Sequence, residues 1–276
     1  MQIKHLLSQS SMHLDHYDAK LEAQLLLQHV LNVNRAWLIA HENEALSPEN
    51  FAQFQQLITR RKNGEPIAYI LGYREFFGLK LKVTPDTLIP RPDTETLVEA
   101  ALEKISKYQT SKVLDLGTGT GAIALAIAKN RPNAQVTAVD FSANALKIAQ
   151  ENAKNLAIQN VSFVQSDWFS ALKNQQFDVI VSNPPYIEEN DAHVGQGDLR
   201  FEPKSALTSG VDGLDDIRKI IGESLHFLKP QGWLLIEHGY NQAKNVRELI
   251  AEYASADIAT VQDFGGNDRV TMGRIC

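Results

Sequence analysis

Cysteine is nearly absent from this 276-residue sequence: the only one, Cys276, is the last residue. No disulfide can form within the chain, and a reducing, cytoplasmic setting is expected. Basic residues are also short, 27 Lys and Arg against 33 Asp and Glu, for a net charge of −6. A dedicated nucleic-acid binder carries a basic stripe, so no direct nucleic-acid contact is expected. No apolar run approaches the roughly 20 residues that span a bilayer, and Met1 to Leu7 lack the apolar core of a signal peptide, so no membrane partner is expected. Repeats and low-complexity segments are missing too. Of the eight histidines, His5, His13, His16, His29 and His41 lie before residue 42. They lack nearby cysteines or paired carboxylates, so they read as solvated or capping, and no metal is expected.

What is present is a large apolar fraction, 43%, enough for one large domain or two modest ones. The chain divides near residues 73–90. Residues 1–73 read as short helices. Asp18 to Leu31 places Ala19, Ala23, Leu26, Leu27 and Val30 on one helical face. Ser47 is an N-cap with Pro48 at the first helical position, Phe51, Phe54, Leu57 and Ile58 form a buried stripe, and Asn63-Gly64 is the stop. So small a bundle offers little room for chemistry, and holding a protein substrate is its expected role. Residues 74–90 read as a hairpin linker, alternating from Leu79 and ending at Pro85.

Residues 91–276 read as one domain, in which from residue 112 onward strands alternate with helices, an α/β pattern with a parallel sheet. Expected strands are Lys112 to Leu116, Gln135 to Val139, Val161 to Ser166, Phe177 to Ser182 and Gly232 to Glu237. Two more, Asp257 to Asp263 and Arg269 to Ile275, are separated only by Phe264 and Gly265-Gly266-Asn267-Asp268, so they are expected to form an antiparallel hairpin. Asp93 is a candidate cap for a helix from Thr94 that buries Leu97, Val98 and Ala101; a role near the site is the other reading of this segment.

The chemistry-bearing residues fall at successive strand ends. After the first parallel strand comes Gly117-Thr118-Gly119-Thr120-Gly121. Glycines there permit a tight turn and close approach of a ligand, and the spacing differs from the dinucleotide Gly-x-Gly-x-x-Gly. Asp140 ends the next strand, about 20 residues on, where an acid suits the two hydroxyls of a ribose. Asp167-Trp168 ends the third: the acid can accept from an adenine amino group and the indole can stack on the ring. After the fourth comes Asn183-Pro184-Pro185-Tyr186. Each proline fixes its own φ and pushes its predecessor to extended geometry, so the Asn183 side-chain oxygen and the Pro184 carbonyl can converge on one NH2 group. Tyr186 can lie flat against the planar group that carries it.

In this order, the motifs Asp-x-Gly-x-Gly-x-Gly, acidic strand end and Asn-Pro-Pro-Tyr resemble the class I methyltransferases. Ile89-Pro90-Arg91-Pro92-Asp93-Thr94-Glu95 and Phe201-Glu202-Pro203-Lys204-Ser205-Ala206-Leu207 are similar to segments of the release-factor glutamine methyltransferases, the HemK/PrmC family. The resemblance covers the whole chain, without departure at the motif positions. It implies a seven-stranded Rossmann-like sheet with an antiparallel last strand over residues 91–276, preceded by the helical bundle of 1–73 and the hairpin of 74–90. It implies S-adenosyl-L-methionine as cofactor, leaving S-adenosyl-L-homocysteine, with Gly117, Thr118, Gly119, Thr120, Gly121, Asp140, Asp167, Trp168 and Asn183 around it. Asn183, Pro184, Pro185 and Tyr186 would hold the acceptor, with Asn183, Pro184 and Tyr186 catalytic. The implied acceptor is the glutamine amide in the Gly-Gly-Gln tip of peptide chain release factors. A ribosomal-protein glutamine methyltransferase shares this corner, and a nucleic-acid adenine-N6 methyltransferase can use it on an exocyclic amine. Tyr186 to Asp212, long, polar and net −4 by its six acids and two bases, reads as a lid suited to a basic protein loop.

Overall fold

The computed structural model describes residues 1–12, 14, 18–253 and 256–274. His13, His16, Ile275 and Cys276 lie outside the described residues. The chain folds as two compact units, Met1–Gly72 and Tyr73–Cys276.

The first unit contains α1 (Ile3–Ser11), α2 (Ala19–Leu31), α3 (Arg35–Ala40), α4 (Pro48–Lys62) and α5 (Ile67–Leu71). Its core is Ile3, Leu6, Leu26, Leu27, Leu38, Phe54 and Ile58. Ser47 caps α4 by accepting from the Asn50 N–H at 3.2 Å, with Pro48 at the first helical position, a cap that contributes about 1 kcal/mol. The chain leaves α4 through Asn63 and Gly64, the latter at φ +92°. The expected stripes are narrower than predicted: Phe54 and Ile58 are fully enclosed, whereas Val30, Phe51 and Leu57 are half-buried. An ion pair not visible in the periodicity joins α4 to α2, Arg61 Nε donating to Glu22 Oε2 at 2.6 Å. His41 stacks on Trp37 with ring centroids 4.0 Å apart, and its Nδ1 meets the Trp37 carbonyl at the end of α3.

The second unit begins with β1 (Tyr73–Phe76) and β2 (Leu79–Lys82), an antiparallel hairpin. Phe77 and Gly78 turn it, at φ +48° and +70°, the two left-handed positions of the hairpin turn that suits strand twist. The hairpin is not a free-standing linker. Phe76, Leu79 and Leu81 are buried in the core of the larger unit, and Lys82 N–H donates to Asn152 Oδ1 at 2.7 Å.

There follow α6 (Glu95–Lys104), β3 (Lys112–Leu116), α7 (Ala122–Asn130), β4 (Gln135–Asp140), α8 (Ala143–Asn155), β5 (Val161–Gln165), β6 (Phe177–Ser182), α9 (Asp215–Ser224), β7 (Leu228–Glu237), α10 (Ala243–Ala251), β8 (Ala256–Gln262) and β9 (Asp268–Arg274). One seven-stranded sheet runs β5-β4-β3-β6-β7-β9-β8. Strands β3 to β7 are parallel, and β9 inserts antiparallel between β7 and β8. This is the class I methyltransferase sheet. Two apolar clusters form on it, one around α7 and Leu97, the other around Ile217, Ile220 and Val246 of α9 and α10. The chain builds β3, β4 and β5 outward, then returns to lay β6 beside β3. The strand order reverses there, and ligands of open α/β sheets sit beyond the carboxyl ends at such a point.

Two local expectations need correction. Strand β7 starts at Leu228 rather than Gly232. Its register jumps between the Phe177↔Leu228 and Val179↔Trp233 pairs, because Gln231 takes a left-handed φ of +66° after Pro230. Asp93 does not cap a helix. It sits in a 3-10 turn, Pro92–Thr94, and no side chain caps that turn or α6. Instead the Asp93 carboxylate lies 3.3 Å from Arg269 Nη2.

Candidate active site

A cavity of about 490 Å³ opens beyond the carboxyl ends of the central strands, within the range of about 300–1,000 Å³ usual for small-molecule sites. It is lined by Gly117 and Gly119 after β3, Asp140, Phe141 and Ser142 after β4, Ser166, Asp167 and Trp168 after β5, and Asn183 and Pro185 after β6. Each segment begins where an apolar strand runs out, so one sheet edge places them all.

The glycine loop is pinned from beneath. Asp115, on β3 and completely buried, accepts from Thr118 Oγ1 at 2.6 Å and from the Ala124 N–H at 3.2 Å. Its carboxylate thus ties the start of α7 to the end of β3. Burial raises its pKa to about 7, against those two bonds, and among the described residues its other oxygen has no partner. Gly117 and Gly119 take φ of +72° and +55°, a region costly for any residue with a Cβ. The Gly119 N–H donates to Asp140 Oδ2 at 2.8 Å, and Ser142 N–H donates to Asp140 Oδ1 at 2.8 Å. Burial raises the Asp140 pKa, while these two bonds oppose the shift. Two fixed carboxylate oxygens keep spare lone pairs toward the cavity, the geometry that suits a vicinal diol.

Asp167 and Trp168 are less free than the sequence suggested. Asp167 Oδ1 is paired with Lys219 Nζ at 2.9 Å. The Trp168 indole N–H donates to Asp216 Oδ1 at 3.2 Å, and its ring covers the loop so closely that a Cβ on Gly117 would lie 3.4 Å from it. Lys219 and Asp216 both line the cavity, and neither was singled out from the sequence: they lie on α9, about 50 residues beyond the strand end they meet.

The corner after β6 shows the arrangement on which the chemistry rests. Asn183 Nδ2 donates to Thr94 Oγ1 at 3.1 Å. Among the described residues, no donor occupies Asn183 Oδ1 or the Pro184 carbonyl. Pro184 itself is buried. Tyr186 is not on the cavity wall. It packs against the α9–α10 cluster, and its hydroxyl donates to Glu237 Oε1 at 3.4 Å. Desolvation, with the negative charge of Glu237, pushes the Tyr186 pKa up. Thr118, Thr120 and Gly121 also stand off the wall: both threonines are buried, and Gly121 presses on Ala149 and Leu125, where a Cβ would come within 3.1 Å.

The two flanking segments meet beside this corner. The Ile89 N–H donates to Glu202 Oε2 at 3.1 Å, and Arg91 Nη2 donates to Glu202 Oε1. The Glu202 side chain is wholly buried, and burial raises its pKa in spite of Arg91 and Ile89. Thr87 and Leu88, just before the first segment, and Pro203, Ser205 and Ala206 from the second also line the cavity. The stretch Tyr186 to Asp212 is thus ordered in short 3-10 turns. One of its acids, Glu202, is buried on Arg91, and Asp212 is paired at the surface with Arg218, so the unpaired negative charge is smaller than the sequence count implied.

The residues fit S-adenosylmethionine as the small ligand: side-chain-free glycines at one wall, a fixed carboxylate for a diol, and Asn183 at the far end. Sequence reading missed Thr94 and Glu237 as partners of the corner. A signal existed for Glu237, an acid closing an apolar strand in the same way as Asp140.

The sequence matches a family model described as a methyltransferase domain over residues 108–270, and one described as the PrmC N-terminal domain over residues 5–72. It is 51% identical over 256 residues to a release factor glutamine methyltransferase of Shewanella oneidensis, covering 93% of this chain and 89% of that one. It is 50% identical over 253 residues to a protein of the same description from Escherichia coli, covering 92% and 91%. Among solved structures, a methyltransferase from Pyrococcus furiosus superposes with a TM-score of 0.52 at 20% identity, over 82% of this chain and 98% of that one, a likeness of fold.

Proposed function

The chain belongs to the release factor glutamine methyltransferases, and from that premise we propose that it methylates the side-chain amide nitrogen of the glutamine in the Gly-Gly-Gln tip of peptide chain release factors. S-adenosylmethionine, when bound, supplies a methyl group already activated on a sulfonium. Gly117, Gly119 and Asp140 would hold its nucleoside part, with Trp168 backing the loop.

One observation carries the reading: among the described residues no donor occupies Asn183 Oδ1 or the Pro184 carbonyl, and Asn183 and Pro185, the neighbours of Pro184, line the glycine-loop cavity. A carboxamide nitrogen is a poor nucleophile because its lone pair is delocalised into the carbonyl. Two acceptors that grip both of its hydrogens aim the lone pair and offset the positive charge that grows on nitrogen during transfer. Because the prolines fix the backbone of the corner and Thr94 Oγ1 holds the Asn183 amide at 3.1 Å, these oxygens need little reorganisation in the transition state. Fixing two reactants in line contributes up to about 7–11 kcal/mol. No strong base is required, since the nitrogen becomes acidic only once alkylated and water can take that proton.

The helical unit, Met1–Gly72, is assigned the task of holding the protein substrate. Glu188 and Glu189 are exposed on the stretch after the corner and favour a basic protein loop over a phosphate backbone. We infer a cytoplasmic setting, which a role in translation termination favours. Among the described residues no helix is long and apolar enough to cross a membrane.

The test is to incubate the protein with methyl-labelled S-adenosylmethionine and whole-cell extract. Label on a protein of release-factor size, resistant to nuclease and mapping to glutamine, is expected. Nuclease-sensitive label would favour an adenine-N6 activity, and label on a ribosomal protein would shift the substrate.

A further inference from the structure

Two consecutive residues after β5 are held by two residues of α9. Asp216 and Lys219 stand three positions apart on that helix, on one face. Lys219 Nζ pairs with Asp167 Oδ1 at 2.9 Å, and Asp216 Oδ1 accepts from the Trp168 indole N–H at 3.2 Å. The two ties are unequal. The ion pair is exposed on both sides, 41% and 55%, and such pairs contribute little. Trp168 and Asp216 are both half-buried on the cavity wall, and their bond uses the only polar handle that tryptophan has.

That bond pins one end of the ring. At the other end, Cζ3 and Cη2 lie over the glycine loop, 3.4 and 3.7 Å from where a Gly117 Cβ would stand. The Trp168 backbone takes a left-handed φ of +46°, unfavourable for so bulky a residue and kept only where its surroundings over-determine it. Buried Ser166 supplies that constraint: its Oγ donates to the Trp168 carbonyl at 2.7 Å and accepts from the Ala171 N–H at 3.1 Å. Ser166 leaves the side chain undecided, because the terminal torsion of tryptophan is broad and roughly two-fold. Turned over, the indole would carry its N–H away from α9 and move its far edge off Gly117.

Asp216 is itself a fixed point. Its N–H donates to Ser209 Oγ at 2.8 Å, and buried Ser209 gives its own N–H to the Ile187 carbonyl at 2.9 Å, one residue past Tyr186. The anchor of the indole and the acceptor corner are thus joined through one short stretch of chain. We propose that Asp216 is a positioning residue for the cofactor: it selects the one orientation of the Trp168 ring that leaves a flat apolar wall, backed by the glycine loop, for the purine of S-adenosylmethionine. The inference rests on the reading above that the nucleoside part occupies this cavity.

The experiment measures S-adenosylmethionine binding by calorimetry, and KM against kcat with a purified release factor. The proteins are the wild type, Asp216→Ala, Asp216→Asn, Trp168→Phe and the double variant Trp168→Phe with Asp216→Ala. Asp216→Ala is expected to weaken binding about tenfold, the scale of a lost hydrogen bond to a charged group, and to raise the cofactor KM by more than it lowers kcat. Asp216→Asn, whose amide oxygen still accepts, restores most of the affinity. In the Trp168→Phe background there is no indole N–H to hold, so Asp216→Ala changes affinity by less than about twofold. In the ligand-free protein the indole N–H resonance of Trp168, identified by its loss in Trp168→Phe, exchanges with water faster in Asp216→Ala. Wild-type affinity in Asp216→Ala, no rescue by Asp216→Asn, or unchanged N–H exchange would each overturn the proposal. So would an equal loss in the Trp168→Phe background, which would make Asp216 a direct ligand. Trp168→Ala, run alongside, separates the two ideas. If it binds poorly while Asp216→Ala is normal, only the positioning fails; if it too binds normally, the placement of the nucleoside against Trp168 fails first.

Discussion

Ser182 Oγ donates to the Leu116 carbonyl at 2.9 Å, and the two residues are register partners at the ends of β6 and β3. That bond lies at the point where the strand order reverses. It holds level the two strand ends from which the glycine loop and the Asn183 corner depart. Both halves of the site therefore begin from one rigid line, and their spacing is set by the sheet rather than by the loops.

Asn183→Ala removes one of the two acceptors without touching the glycine loop. The expected result is a kcat lower by about 10²–10³, the usual effect of deleting one preorganised polar group. Binding of S-adenosylmethionine, followed by calorimetry, should change by no more than a few-fold.

Gly119→Ala tests the loop. The added methyl meets open space, but φ of +55° costs an alanine about 1–2 kcal/mol, and relaxation of that strain would withdraw the N–H from Asp140. Cofactor affinity is expected to fall about tenfold, equivalent to about 1.4 kcal/mol, while kcat at saturation falls less. Parallel titrations of the two proteins decide it.

Arg91→Ala leaves Glu202 buried with only the Ile89 N–H. A stability loss of about 2 kcal/mol is expected, the scale of a buried group stripped of its partner. The pH dependence follows from the raised pKa of Glu202. A carboxyl that holds its proton more tightly when folded is least destabilising at low pH, and its cost grows as pH rises through the folded value. The gap in melting temperature between wild type and variant should therefore widen as pH rises above the ordinary carboxyl range of about 4. A constant gap would mean that Glu202 is not the group left stranded.

Asp115 and Glu237 both carry pKa values raised to about 7 by burial. By the same sign rule, their contribution to stability is complete below the ordinary carboxyl value of about 4 and is lost as pH climbs through about 7. Asp191, Asp212 and Asp263 are shifted the other way by their hydrogen bonds, and they act only on the acid side of that window. Scanning calorimetry should show the melting temperature falling between pH 5 and pH 8. Asp115→Asn should flatten the slope.

The parts of this molecule that could be read in advance are those written in local pattern. Strand ends were visible because Val113, Leu114, Val179 and Ile180 sit in short apolar runs bounded by glycine or proline, and ligand-facing residues follow such runs by rule. The Ser47 cap was visible because capping is decided within four residues. The partners of those residues were not visible. Thr94 reaches Asn183 across 89 positions, and Lys219 reaches Asp167 across 52. No periodicity reports which helix face a sheet edge will meet. Tyr186 shows the limit from the other side: its motif gave its position, but its ring packs in the α9–α10 cluster with its hydroxyl 3.4 Å from Glu237, partners the motif does not report. Asp93 misled for a related reason, since an acid before a helix is capable of capping and Arg269 offers it a stronger partner.

The central claim is that the proline-held corner grips a glutamine carboxamide for methylation. The most direct measurement is mass spectrometry of a purified release factor after incubation with the enzyme and S-adenosylmethionine, compared with the same substrate carrying glutamate in place of the glutamine in its Gly-Gly-Gln tip. One methyl group on that glutamine nitrogen, and none on the glutamate form, is the predicted result. Methylation of both forms at another residue, or of neither while nucleic acid becomes labelled, would contradict it.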